Sequence, residues 1–307
     1  MSISHQAVSH QRLWERFGNL SYQGLPEDVR TLAGQCILDW FACALAGSRE
    51  PLAEILRDEF SDVTGPCTVA GTAMRTTPTV AALINGATSH ALDYDDTSTV
   101  MGGHPTVPVF PAVLALAEER GASGSDLITA LVVGAEVEGR LGSAIGGKHY
   151  AKGWHVTSTM GVFGAAAGAA RLLGLNAEQF GHAIGLAASQ ASGLKANFGT
   201  MTKPFHAGHA AERGLLSARL AARGYTSNPE AFSARQGLVE AAGTGTIDEE
   251  RLARVNDDWI IRHTLFKYHA ACYLTHAAIE SALRLRASVA LDEVAAATVT
   301  VHPSLLD

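Results

Sequence analysis

Apolar residues recur along most of this chain at the three- and four-residue spacing of amphipathic helices. In the clearest stretch, after Pro26, the residues that would share one helix face are Val29, Ala33, Cys36 and Trp40. A proline followed by two acidic residues is typical of a helix start, because acids favour the first turn. Further helices are predicted to begin near Pro51, Pro78, Pro105, Gly124, Thr157, Ala177, His206 and Pro229.

Several of these predicted helices carry small residues on more than one face. Residues 161–170 are mainly glycine and alanine. Helices that are apolar on nearly all sides are usually buried, so the pattern predicts a compact helical bundle with a fully buried centre. The uncharged run at residues 156–170 is shorter than the roughly 20 residues that a membrane-spanning helix needs, so we expect no membrane partner.

The pattern changes near residue 262. Residues 266–286 are predicted to form a helix, or a loop followed by a helix, and residues 294–302 alternate apolar and polar side chains as a strand does. A single strand needs partners, so a second, mixed α/β unit is expected to begin here. We therefore expect the sequence to be a fragment or a shortened homologue of a longer protein.

Composition and charge narrow the class of protein. Hydrophobic residues make up 47% and charged residues 17%, which excludes an intrinsically disordered chain. The formal net charge is −7 and lysine and arginine do not cluster, so no nucleic-acid partner is expected. The four cysteines form no CxxC motif, and no secretory signal is visible, which together predict reduced thiols and a cytoplasmic protein.

Three carboxylates, Asp93, Asp95 and Asp96, lie within four residues after a predicted helix. One of them could act as a general acid or base, because its neighbours would shift its pKa. The three could instead hold Mg²⁺, although Thr99 stands where an aspartate-rich diphosphate motif needs a further acid. The remaining alternative is a solvated acidic turn without a chemical role.

Two histidines stand at predicted helix starts. His104 lies in a Gly-Gly-His-Pro run, where the proline holds it in an extended conformation. His155 precedes the small-residue helix, whose free amide groups favour anions. Either residue could be an ordinary helix-entry histidine.

The loop at residues 199–206 combines Met201, two threonines, Lys203 and His206. A lysine ammonium group can bind a carboxylate, and a histidine can donate or accept a proton. His206 and His209 could instead bind a metal at their three-residue spacing, although no third ligand is evident.

Lys267 and His276 form a last candidate pair near the end of the chain. Aspartates, histidines and lysines at the ends of apolar helices are costly to bury without a role. Cations could bind a polycarboxylate while a histidine or an aspartate moves a proton next to a carboxylate.

Seven stretches of the sequence resemble the MmgE/PrpD family. They are LDWFACALAG (38–47), NGATSHALDYDDT (85–97), GHPTVPVFPAVLALAE (103–118), GSDLITALVVGAEVEGRLG (124–142), GWHVTSTMGVFGAAAGAARLLGL (153–175), AIGLAASQASGL (183–194) and GTMTKPFHAGHAAERGLLSA (199–218). The resemblance implies an all-α large helical domain at residues 1–265 and the start of a smaller α+β lid domain at residues 266–307. It also implies a homodimer that needs no metal or other cofactor.

The resemblance further implies roles for individual residues. The expected catalytic residues are His104, His155, Asp93 and Lys203, with the two histidines transferring protons. The expected substrate-binding residues are Thr97, Met201, Lys267 and His276.

The activity implied by the resemblance is that of a cofactor-independent lyase acting on a small polycarboxylate. Dehydration of the 2-methylcitrate type is slightly favoured over decarboxylation of the cis-aconitate type. The run Asp95–Ser98 nevertheless differs from the Asn-Asp-Thr-Trp that is typical of the dehydratases. The alternatives are epimerisation of a dicarboxylate such as iminodisuccinate, a metal-dependent helical enzyme, or an inactive dimerising helical fragment.

Overall fold

The computed structural model describes residues 13–253 and 258–301, and these are mostly helical. Residues 13–18 are helical (α1). The helices that follow are α2 (Glu27–Gly47), α3 (Pro51–Glu59), α4 (Pro78–Ser89), α5 (Thr106–Arg120), α6 (Gly124–Ile145), α7 (Gly147–Ala151), α8 (Val156–Thr159), α9 (Gly161–Leu173), α10 (Ala177–Ala188), α11 (Thr202–Ala222), α12 (Leu238–Ala241), α13 (Glu249–Ala253) and α14 (His276–Arg286).

Within the described residues, four two-residue strands form two small antiparallel sheets. The strands are β1 (Cys67–Thr68), β2 (Arg75–Thr76), β3 (Thr97–Ser98) and β4 (Thr264–Leu265). Strand β1 pairs with β2, and β3 pairs with β4. The second pairing brings residues near position 265 back to the segment that follows α4.

Helices α6, α9 and α11 occupy the centre of the bundle, as the distribution of small residues predicts. All residues from 161 to 170 are buried. The closest crossing joins α4 to α11, because a Cβ atom on Gly208 would lie 2.1 Å from the carbonyl oxygen of Leu83. Only glycine fits there, and this crossing sets the end of α4 beside the start of α11.

The predicted all-α character of the large domain is confirmed, whereas some local predictions are wrong. Helix α11 begins at Thr202 rather than near His206, and no helix begins near Pro229, where turns run on to α12. Residues 294–301 form no strand, because no neighbouring segment in the described ranges pairs with them. Residue 302 lies outside those ranges. The domain boundary at 265/266 stays a prediction.

Among the described residues, two helical segments are long and apolar enough to cross a membrane by length and composition, Glu27–Gly47 and Val156–Leu173. The second is longer than the sequence predicted, because α9 continues to Leu173. Of its most apolar window, 83% is buried inside the bundle, which accounts for its composition as core packing. The first segment, Glu27–Gly47, is only weak evidence for a membrane span. The expectation of no membrane partner stays a prediction.

Candidate active site

The candidate site is built around Asp93, in the turn that follows α4. Asp93 has a φ of 48°, in the left-handed region that a non-glycine residue rarely adopts. The ammonium group of Lys267 donates to both the carboxylate and the backbone carbonyl of Asp93. Lys203 donates to the same carboxylate. These contacts hold a backbone conformation that would otherwise cost free energy.

The fold delivers the two lysines from distant parts of the chain. Lys203 lies in the first turn of α11, beside the end of α4. Lys267 follows β4, which pairs with β3 through Thr97 and Leu265. The Lys267 side chain is 0% exposed, whereas that of Lys203 is 16% exposed. Of the two, only Lys203 therefore has a side chain that reaches solvent-accessible space.

His104 approaches Asp93 from the start of α5. Its backbone N–H donates to the Thr157 hydroxyl at 3.1 Å. The preceding Gly103 packs so closely that a Cβ atom would lie 2.9 Å from the Thr157 nitrogen. The His104 Nε2 atom lies 3.6 Å from an Asp93 oxygen, and its Nδ1 atom lies 2.8 Å from an Asp95 oxygen. The imidazole thus lies between two carboxylates.

A further group of imidazoles lines the interior side of His104. The His90 and His104 rings lie 4.6 Å apart, and the His90 and His155 rings stack at 5.9 Å. The Nδ1 atoms of His155 and His206 are 3.1 Å apart. Phe198 packs edge-on against His155 at 4.9 Å. His155 is therefore fixed by its packing and by a second imidazole.

The pKa values of Asp93, Asp95 and His155 are all lowered, but for different physical reasons. Burial raises the pKa of Asp93, but the neighbouring His104, His90 and two lysines outweigh it and lower that pKa to about 2. The pKa of Asp95 is well below its usual value because His90 and His104 outweigh the effect of burial. Burial lowers the pKa of His155 well below its usual value, and the nearby cationic groups lower it further. At neutral pH the two aspartates are ionised and His155 is neutral.

Three of the residues expected at the site lie in other surroundings than the cluster around Asp93. The Thr97 hydroxyl donates to the Gly103 carbonyl at 3.2 Å, which holds the turn before His104. The Met201 residue is 50% exposed. His276 packs against the rings of His269 and Tyr273. The roles that the resemblance implies for these three residues stay predictions.

Sequence reasoning missed the part that His90 and Asp95 play in the geometry. Both are fully buried, and the His90 Nδ1 atom lies 2.9 Å from an Asp95 oxygen. A five-residue separation across a helix end gives no periodic signal. The only signal in the sequence was a histidine at a buried helix end followed by closely spaced aspartates.

Four residues of the site could hold a metal ion. Each of His90, Asp93, Asp95 and His104 offers one ligand atom, and these atoms lie within 4.8 Å of one another. Two ammonium groups already contact Asp93, so a cation there would have to compete with them. Asp96 does not belong to this set, because its carboxylate accepts from the backbone and hydroxyl of Thr106.

Comparisons with known proteins bear on this site. A sequence model of the MmgE/PrpD N-terminal domain matches residues 11–250. The cis-aconitate decarboxylase of Aspergillus terreus is 33% identical over 291 residues, which cover 87% of this chain and 58% of that protein. The cis-aconitate decarboxylase-like protein oryM of Aspergillus oryzae is 32% identical over 85% of this chain and 58% of that protein.

A human relative is more similar over a shorter stretch. The cis-aconitate decarboxylase of Homo sapiens is 38% identical over 176 residues, which cover 54% of this chain and 35% of that protein. The present chain spans less than three fifths of the length of each of these relatives.

Proposed function

Because this chain belongs to the MmgE/PrpD family, we propose that it acts as a carboxy-lyase on a small unsaturated polycarboxylate such as cis-aconitate. The relatives named as decarboxylases shift the preference from dehydration, which the sequence slightly favoured, to decarboxylation. The observation that carries the proposal is the contact of Asp93 with two lysines and, at 3.6 Å, with His104. That arrangement places a cation and a proton-transfer group side by side.

The chemistry of the reaction defines what the site must supply. In cis-aconitate a carboxymethyl group is attached to one carbon of the double bond. When its carboxylate leaves as CO₂, the electron pair of the broken bond forms a new double bond. The electron pair of the old double bond then takes up a proton at its far carbon. The reaction therefore requires cations for the remaining carboxylates and one proton donor.

We assign the proton donor to His104. Carboxylates of Asp93 and Asp95 lie on both sides of its ring, 3.6 Å from Nε2 and 2.8 Å from Nδ1. His155 is neutral at pH 7 because it is buried, so it suits hydrogen bonding to the substrate better than proton donation. Each turnover would leave His104 neutral, and solvent would restore its proton.

We assign carboxylate binding to Lys203 and a supporting role to Lys267. The Lys203 ammonium group is partly accessible and can exchange its contact with Asp93 for one with a substrate carboxylate. The Lys267 side chain is fully buried, and its ammonium group donates hydrogen bonds to both the carboxylate and the backbone carbonyl of Asp93. In this assignment Lys267 maintains the left-handed turn that aims Asp93 at His104.

Proton NMR in D₂O, with EDTA present, tests the reaction type. With cis-aconitate we expect a new terminal methylene signal, loss of one carboxylate as CO₂ and one deuterium at the carbon that is protonated. A new alkene from 2-methylcitrate would instead identify a dehydratase, and deuterium at the α-carbon of iminodisuccinate would identify an epimerase. No turnover of any of the three substrates would refute the proposal, and turnover abolished by EDTA would refute metal independence.

Two pairs of variants test the assigned roles. His104→Gln is expected to lower kcat by about 10²–10⁴-fold, as loss of a general acid does. His263→Gln removes an exposed imidazole elsewhere and serves as its control. Lys203→Met is expected mainly to raise KM, with the exposed Lys148→Met as its control. Equal kinetics for a variant and its control would contradict the assignment.

The assembly and location of the protein also remain proposals. We infer a homodimer and a cytoplasmic location from the family resemblance and from the reduced cysteines. The exposed Leu38, Phe41 and Leu45 of α2 form an uncharged stripe that is consistent with self-association. Light scattering on the purified chain tests the dimer, and a monomeric mass would contradict it.

A further inference from the structure

Asp95 lies between two imidazoles and is itself fully buried. Its Oδ1 atom is 2.9 Å from the Nδ1 atom of His90, and its Oδ2 atom is 2.8 Å from the Nδ1 atom of His104. The His90 contact is a well-aligned hydrogen bond. The His104 contact has the distance but not the alignment of a hydrogen bond, and among the described residues neither its Nδ1 atom nor the Asp95 Oδ2 atom has a hydrogen-bond partner. One carboxylate thus faces the same ring atom of two histidines.

This geometry dictates where the protons lie. An ionised carboxylate can only accept hydrogen bonds, and a ring nitrogen without a proton would present a lone pair to it. The hydrogen bond at 2.9 Å therefore places hydrogen on the His90 Nδ1 atom, and at 2.8 Å repulsion between the lone pair and the carboxylate favours hydrogen on the His104 Nδ1 atom as well. In the neutral ring of His104 the lone pair is then on Nε2, the atom that faces Asp93. The proton-transfer atom of His104 is thereby turned toward the lysine-lined side of the site.

His90 cannot take part in the reaction directly. Its side chain is fully buried, and in the described part of the chain its Nε2 atom has no hydrogen-bond partner. Among the described residues, its one hydrogen bond is the one to Asp95. A buried polar side chain with a single partner is best explained by what it does to that partner.

We propose that Asp95 is a positioning residue that fixes the tautomer and orientation of His104, and that His90 holds Asp95 in place for this task. The proposal rests on the assignment of His104 as the proton-transfer group. Asp95 also balances the positive charge of His104 whenever that ring is protonated, and it does so without touching the substrate. Asp93, which the resemblance singled out, faces the other ring nitrogen.

The tautomer of His104 can be measured without any assay of activity. Long-range ¹H–¹⁵N correlation spectra of the ¹⁵N-labelled full chain distinguish protonated from unprotonated ring nitrogens, and His104→Gln and His90→Asn assign the signals. At a pH where the rings are neutral, we expect hydrogen on Nδ1 and none on Nε2 for both histidines. A His104 ring with hydrogen on Nε2 would overturn the proposal, whatever reaction the protein catalyses.

Kinetics provide the second test. Asp95→Asn is expected to lower kcat by about 10³–10⁴-fold with little change in KM, because the amide can hold the ring in the wrong tautomer. Asp96→Asn is a matched control, since Asp96 is equally buried, adjacent in sequence and bonded to Thr106 instead of an imidazole. A wild-type kcat in Asp95→Asn would overturn the proposal. If that variant does not fold, the wild-type spectra still decide the question.

A conservative pair at position 90 separates positioning from packing. His90→Asn retains a side-chain N–H near the position of Nδ1, whereas His90→Leu fills the space without a donor. We expect kcat to fall at least tenfold further in His90→Leu than in His90→Asn. Equal kcat values would refute the part assigned to His90. Absence of turnover by the wild-type protein would refute the proposed function, and the spectra would still test the tautomer.

Discussion

Replacement of Asp96 by asparagine should make the stability of this protein less dependent on pH. Asp96 is completely buried beside Asp39, whose carboxylate accepts the Asp96 backbone N–H at 3.1 Å. Burial, together with the negative charges of Asp39 and Asp95, raises the pKa of Asp96 from 3.8 to about 7, although hydrogen bonds from Thr106 oppose this. The folded protein therefore retains a proton on Asp96 that the unfolded chain loses above about pH 4.

The sign and size of the effect follow from proton linkage. Between about pH 4 and 7, the folded state binds one more proton than the unfolded state, so the free energy of unfolding falls as pH rises. At about 1.36 kcal/mol per pH unit, a rise in pKa from 3.8 to about 7 corresponds to roughly 4 kcal/mol in total. Above pH 7 both states are ionised and the difference stays constant. Asp96→Asn removes this pH-dependent loss of stability, and its amide oxygen still accepts a hydrogen bond from the Thr106 hydroxyl.

Equilibrium urea unfolding of the wild-type protein and of Asp96→Asn, from pH 4.5 to 8.5, measures the effect. The free energy of unfolding of the variant, minus that of the wild type, should increase with pH up to about 7 and then level off. Asp62→Asn is an exposed control that should show no such trend. A difference independent of pH would show that Asp96 ionises normally in the fold and would refute the reasoning.

Two other predictions concern the contacts that position the site. Gly208→Ala should lower the free energy of unfolding by at least about 1–3 kcal/mol, because the new Cβ atom would lie 2.1 Å from the Leu83 carbonyl oxygen. Gly34→Ala, in an exposed part of α2 with open space around the Cβ position, should instead stabilise the protein by about 0.5–1 kcal/mol. Urea unfolding compares the two, and equal effects would contradict the tight crossing. Lys267→Met should lower the free energy of unfolding by about 1.5–3 kcal/mol, since it removes the hydrogen bonds that the ammonium group donates to Asp93. An unchanged midpoint of urea unfolding would contradict this stabilising role.

Much of the fold could be predicted from local signals in the sequence. Helix starts at Pro51, Pro78 and Gly124 carry proline or capping residues, and the structure begins helices at those residues. The small-residue composition of α9 predicts burial, because a helix without a polar face has no stable place at the surface. The prediction failed for residues 294–301, since alternation alone does not provide the hydrogen bonds of a partner strand.

The residue types at the candidate site were also evident in the sequence. A run of aspartates after α4, a histidine before a proline and a lysine at a helix start indicate polycarboxylate chemistry from the sequence alone. Family resemblance then singled out Asp93, His104 and Lys203, which the fold brings into one cluster. Helix starts and ends concentrate such residues because backbone groups there are unpaired.

Which of these residues touch one another was decided only by the tertiary structure. Asp93 and Lys267 are 174 residues apart in sequence, and they meet because β4 pairs with β3. Asp95, rather than Asp93, lies within 3 Å of the Nδ1 atoms of both histidines, since the left-handed turn at Asp93 directs neighbouring aspartates to different sides. The sequence by itself determined helices, burial and the chemical types of the site, because these depend on local composition and period. The tertiary structure decided the partners of each residue and the balance of charges, because these depend on contacts between segments that the chain order does not place together.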